Sequence, residues 1–199
     1  MKKVAWLLSI CFFTFFTTLF LSCKKKIASK ADLITYINDP ENGLQKSQQI
    51  GKIKAVLTYK PWQLMADKLK PGDLKITTVN KIKDNLFFVL SLSANNKELL
   101  RQLPFNQYSE MVQVMAFRMG GFIDAVPDND KSVEPLNCAF QQTYGMGLAN
   151  NILIVFDKKK LIIANNLRIH IKEFGLNIGD LYFDIDVSDI KHTQNIVVN

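Results

Sequence analysis

Histidine and cysteine are scarce in this chain, at two and three of 199 residues. With only His170 and His192 to draw on, sites built from several imidazoles are excluded. There is no Gly-rich phosphate loop, no GxSxG elbow, no HExxH pair and no CxxC. Internal repeats and low-complexity tracts are also absent. The excess of basic residues is mild, and without clustering on one face or groove it makes no nucleic-acid footprint.

The most informative segment lies at the start. Lys2 and Lys3 precede residues 4 to 21, which carry no charge, and Leu19-Phe20-Leu21-Ser22-Cys23 closes the stretch. A cationic start, an apolar run and a small residue before a cysteine have the form of a bacterial lipoprotein export signal. Phe20 and Leu21 depart from the usual box. The apolar run is just long enough for a retained transmembrane helix, but Ser9, Thr14, Thr17 and Thr18 dilute it. We therefore expect cleavage of residues 1–22 and acylation of Cys23 on its thiol and new amino group. Several acyl chains on one cysteine, palmitate among them, would anchor the chain to membrane lipid. Residues 23–30 then form a lipidated, basic linker. Lys24, where an Asp would retain a lipoprotein in the inner membrane, points to the outer membrane and leaves the leaflet open.

Removing residues 1–22 leaves 177 residues, and the net charge falls from +7 to +5 because only Lys2 and Lys3 depart. That length suits one domain with its own core. Cys138 is then the only thiol left for a disulfide, so an intramolecular bridge is excluded. In Pro135–Phe140 it reads as a small buried hydrophobe rather than a nucleophile.

The expected fold is a single α+β domain over 31–199, an antiparallel sheet or sandwich with packed helices. Helices are predicted at 31–38, 62–69, 95–103 and 106–119, the last ended by Gly120-Gly121. Strands are predicted at 50–59, 86–93, 122–126, 136–144, 151–156, 161–171 and 181–187. Turns are expected at Asn42-Gly43 and Pro71-Gly72, and residues 157–160 suit a hairpin tip.

Tyr36-Ile37-Asn38-Asp39-Pro40-Glu41-Asn42-Gly43-Leu44, Tyr59-Lys60-Pro61-Trp62-Gln63-Leu64-Met65 and Leu181-Tyr182-Phe183-Asp184-Ile185 carry a resemblance. After Cys23 the chain resembles a lipoprotein family of Bacteroidota to which no activity is assigned. The resemblance implies a lipid-anchored, single-domain envelope protein and transfers no catalytic residue.

Several clusters invite a site. Asp180, Asp184, Asp186 and Asp189, with His170 and His192, could hold a metal. Strand alternation offers another account, with Arg168, His170 and Lys172 on one face and Tyr182, Asp184 and Asp186 on the matching face. Pairing Arg168 with Asp186 and His170 with Asp184 would neutralise both strands, and we favour that. Asp128, Asn129, Asp130 and Glu134 offer loop oxygens but lack the pattern of an EF-hand. Met111, Met115 and Met119 could bind soft Cu(I). They read better as core, with Val112, Val114 and Phe117 widening the apolar surface. Arg118 either snorkels outward or pairs with Asp124. Tyr59 and Trp62, with Lys60, are candidate ligand-binding residues able to stack on a sugar or dock a partner. Buried, Trp62 would instead staple its helix to the sheet. The expected function is a non-enzymatic binding or assembly subunit of the outer-membrane envelope with an envelope-protein partner and no cofactor. The alternatives are a cation-dependent hydrolase using Asp184 and Asp186, or a carbohydrate or small-ligand binder at Trp62.

Overall fold

The structure, a computed structural model, describes residues 27, 29–67, 75–128 and 130–197. Helix α1 (Lys30–Asn38) starts at a reciprocal cap: Ser29 Oγ accepts the Asp32 amide while Asp32 accepts the Ser29 amide. Its Leu33 and Ile37, one turn apart, are buried. A 3₁₀ turn, Pro40–Asn42, ends at Gly43, where φ is +74° and the Asp189 carboxylate occupies the space a Cβ would need. Only glycine suits both demands.

Strands β1 (Gln45–Ile50) and β2 (Ile53–Lys60) form a hairpin where one strand over 50–59 was expected. The run Gln45-Lys46-Ser47-Gln48-Gln49 hides β1, because an edge strand can hold its place by backbone bonding without apolar alternation. Short helices α2 (Trp62–Ala66) and α3 (Ile76–Lys83) lead to β3 (Asn85–Ala94). The Pro71-Gly72 turn lies outside the described residues. Instead of a helix over 95–103, Asn95 and Asn96 adopt φ of +53° and +58° and turn the chain into β4 (Lys97–Glu98). Asparagine tolerates this left-handed geometry, which tight hairpins require. A 3₁₀ turn, Leu99–Gln102, follows.

Helix α4 (Phe105–Gln113) widens into a π-turn over Val114–Arg118 before a last 3₁₀ turn, Met119–Phe122. Met111, Met115 and Met119 are buried as core. Phe117, expected to join them, is 85% exposed. The i→i+5 turn breaks the 3.6-residue phase on which that expectation rested. Arg118 is also exposed, and Asp124 is engaged elsewhere.

The remaining elements are β5 (Ile123–Pro127), β6 (Asn137–Gln141), β7 (Asn150–Asp157), α5 (Lys158–Leu161), β8 (Asn166–Ile171), β9 (Leu181–Asp186) and α6 (Val187–Gln194). They complete an α+β fold with two antiparallel sheets. The larger has the order β1-β2-β3-β7-β6, with β4 also on β3, and the smaller runs β5-β8-β9. Residues 157–160 are not a hairpin tip. Asp157 caps α5 by accepting the Lys159 amide at 2.9 Å, and the chain crosses there to the other sheet. The strand expected from 161 therefore begins only at Asn166.

The inner faces of both sheets share one core with α1, α4 and α6. Phe88 is fully buried at its centre, its ring 5.5 Å from Tyr59 and 6.1 Å from Phe156. We predict that Phe88→Ala costs about 3–5 kcal/mol in urea denaturation, as expected for an aromatic lost from a packed core. A loss below about 1 kcal/mol would contradict this placement.

Candidate functional site

Strands β8 and β9 pair with Arg168 opposite Asp184, His170 opposite Tyr182 and Asn166 opposite Asp186. The faces agree with the alternation, but the register is two residues from the one expected. A two-residue slip keeps every side chain on its face, so alternation cannot distinguish the two. The connection between the strands decides it.

Glu173 organises that connection. Its carboxylate accepts five backbone amides: Gly175, Leu176 and Asn177 on Oε1, Ile178 and Gly179 on Oε2. Partial burial opposes its charge, yet the amides outweigh this and hold the carboxyl below the usual range. Asp180 closes the loop, accepting the Glu173 amide at 2.9 Å and bonding His170 Nε2 at 2.8 Å. The His170 bond first, then the Glu173 amide, lowers the Asp180 carboxyl.

On its other side His170 faces Asp124 of β5, Nδ1 to Oδ1 at 3.5 Å, and Lys172 reaches the second Asp124 oxygen at 3.3 Å. Tyr182 lies flat on the imidazole, centroids 4.6 Å apart. Arg168 grips Asp184 through Nε at 2.7 Å and Nη2 at 3.2 Å. Asp186 caps α6 by accepting the Ser188 amide at 2.7 Å. Asp189 stands beside Gly43, and His192 packs on Tyr36 at 5.8 Å. The six residues considered for a metal thus fall at several places. Among the described residues, no group of three His, Cys, Asp or Glu side chains is arranged to hold an ion.

The loop after β5 behaves similarly. Asp128 accepts the amides of Asn165 and Asn166 at 2.9 and 2.8 Å, which lowers its carboxyl. Asn129 lies outside the described residues. Tyr59 is 1% exposed and its hydroxyl accepts Gln194 Nε2 at 3.3 Å; burial pushes it up to about 12. Half-buried Trp62 donates Nε1 to the Gln194 carbonyl at 3.2 Å, with Lys83 over its ring. Both aromatics therefore fasten β2 and α2 to the C-terminal helix. Burial raises the Cys138 thiol to about 11, which leaves little thiolate near neutral pH.

Sequence reasoning missed Glu98. It is 3% exposed and accepts the Thr143 hydroxyl and the amides of Gly145 and Gly147, both at 2.8 Å. Burial disfavours its charge, but these donors and Arg101 hold the carboxyl low. The alternating glycines of Thr143-Tyr144-Gly145-Met146-Gly147 hint at a tight loop, but nothing local points back to residue 98. A shallow depression lined by Gln49, Gly51, Lys52, Lys54, Ser93, Asn95 and Asn96 lies at the same end of the sheet. No family model, curated protein or solved structure matches the chain.

Glu98, Asp128, Glu173 and Asp180 all have folded pKa values below their unfolded values near 4. Their contribution to stability is complete above the unfolded pKa and is lost as pH falls through the folded values. The urea midpoint should hold from pH 7 to about pH 5 and then fall; Glu173→Gln should lower it at pH 7 and flatten the acid limb. An unchanged midpoint in Glu173→Gln would contradict the amide nest. Separately, EDTA and Asp184→Asn should each leave the melting temperature nearly unchanged, since exposed ion pairs are weak. A chelator-induced drop restored by calcium or zinc would overturn that.

Proposed function

We propose that the protein is a lipid-anchored lipoprotein of the outer-membrane envelope that works as a non-enzymatic binding or assembly subunit. The signal pattern and Cys23 support the address; both lie outside the described residues. The folded part begins close behind them. Ile27 packs against the core, and Lys30, counted with the linker in the sequence, opens α1 and pairs with Asp67. Among the described residues no helix is long and apolar enough to cross a membrane.

The observation that carries the non-enzymatic reading is the engagement of the carboxylates. Glu98, Asp128, Glu173 and Asp186 receive backbone amides, Asp184 receives Arg168, and Asp124 and Asp180 flank His170. Groups held this way shape loops and strand pairs rather than converging on a substrate. The hydrolase alternative would need Asp184 and Asp186 to abandon a bidentate arginine and a helix cap.

Cys23→Ser should abolish palmitate incorporation and move the protein out of the membrane fraction. Incorporation that survives the substitution, or an intact Met1 by mass spectrometry, would refute the anchor.

A further inference from the structure

The end of the larger sheet far from the chain's N-terminal side combines features that the core does not explain. Lys60 of β2 lies opposite Phe87, and α2 and Asp67 follow there, where Lys30 is bound. Ser29 is therefore at that end. The β1–β2 turn, the Asn95-Asn96 turn and the loop from β6 to β7 gather at the other, since Asn150 lies opposite Leu92. The eight residues of β2 separate the two ends by about 25 Å.

The loop between β6 and β7 is built to hold its shape. Buried Glu98 takes three of its donors, and the Arg101 guanidinium lies 3.1 Å from where a Gly145 Cβ would stand. What the loop presents is apolar: Tyr144, Met146 and Leu148 are 73%, 86% and 77% exposed. Cations share that end of the sheet, with Lys54 opposite Ser93 and Lys97 opposite Ala94. Lys52, Lys54, Lys97 and Arg101 are exposed, and the three lysines form no ion pair among the described residues. A buried charge engaged in fixing a loop whose outward side chains are apolar favours docking, because a preordered surface loses less freedom on binding.

We propose that this end docks an acidic protein partner whose apolar pocket receives Tyr144, Met146 and Leu148. Charge complementarity favours carboxylates at the partner's rim, facing the lysines. The inference deepens the assembly reading and takes its orientation from the Cys23 anchor. With the chain tethered behind Ser29, the apolar tip points away from the bilayer that holds it. A lipid surface would offer similar charge but sits at the wrong end.

The test places benzoylphenylalanine at position 146 of the full chain in intact cells, with position 159, in α5 at the Ser29 end, as control. Irradiation should give one discrete protein adduct at 146 and none at 159. Lys52→Glu, Lys54→Glu and Lys97→Glu together should reduce the adduct at least about tenfold, with circular dichroism and melting temperature unchanged. The partner, identified by mass spectrometry and purified, should bind more weakly as salt rises and lose binding to Leu148→Asp. No adduct at 146 would overturn the proposal. So would an adduct to lipid or to a second copy of the chain, or one indifferent to charge reversal. Palmitate labelling in the same cells separates the readings: adduct without palmitate refutes the anchor alone, and palmitate without adduct refutes the docking surface alone.

Discussion

Strand β3 pairs along its length with β2 and β7, and its side chains Leu86, Phe88, Leu90 and Leu92 are at most 1% exposed. Each such side chain removed from water stabilises the fold by about 1.5–3 kcal/mol. The opposing layer is the smaller sheet, whose inward residues Leu167, Ile169 and Ile171 are as well buried. Neither sheet could bury its apolar face alone, so the position of every loop depends on this shared core.

Upon that core the protein fixes irregular backbone with carboxylates. A loop amide turned from its strand still needs an acceptor, and here Glu98, Asp128 and Glu173 supply it across 47, 38 and 5 residues of sequence. The two best-fixed loops serve different ends. The Glu173 loop sets the β8–β9 register and, through Asp180, orients His170. The Glu98 loop carries the exposed apolar tip.

Much of the fold was legible wherever burial follows a simple period. The faces of β8 and β9, the strand around Phe88, the Met111–Met119 stripe and the apolar spacing of α1 all follow local pattern. The failures have local causes too. Polar β1 gave no alternation, Asn95-Asn96 turned where a helix was expected, and the π-turn rotated Phe117 outward. The candidate site was legible in composition but not in partners. Arg168 and His170 lay on the expected face, yet their partners depended on a register that Glu173 sets. Glu98 gave no local sign, because its donors lie far along the chain.

The irregular backbone is held by carboxylates committed to loop amides. Native-state hydrogen exchange on the full chain, resolved by residue, tests that most directly. The amides of Gly145, Gly147, Gly175, Ile178 and Gly179 lie outside regular structure, yet should be protected like strand amides near neutral pH. Their protection should fall together as Glu98 and Glu173 are protonated in acid. Rapid exchange of these amides near pH 7, at the rate of open turns, would show the carboxylates free and contradict the account.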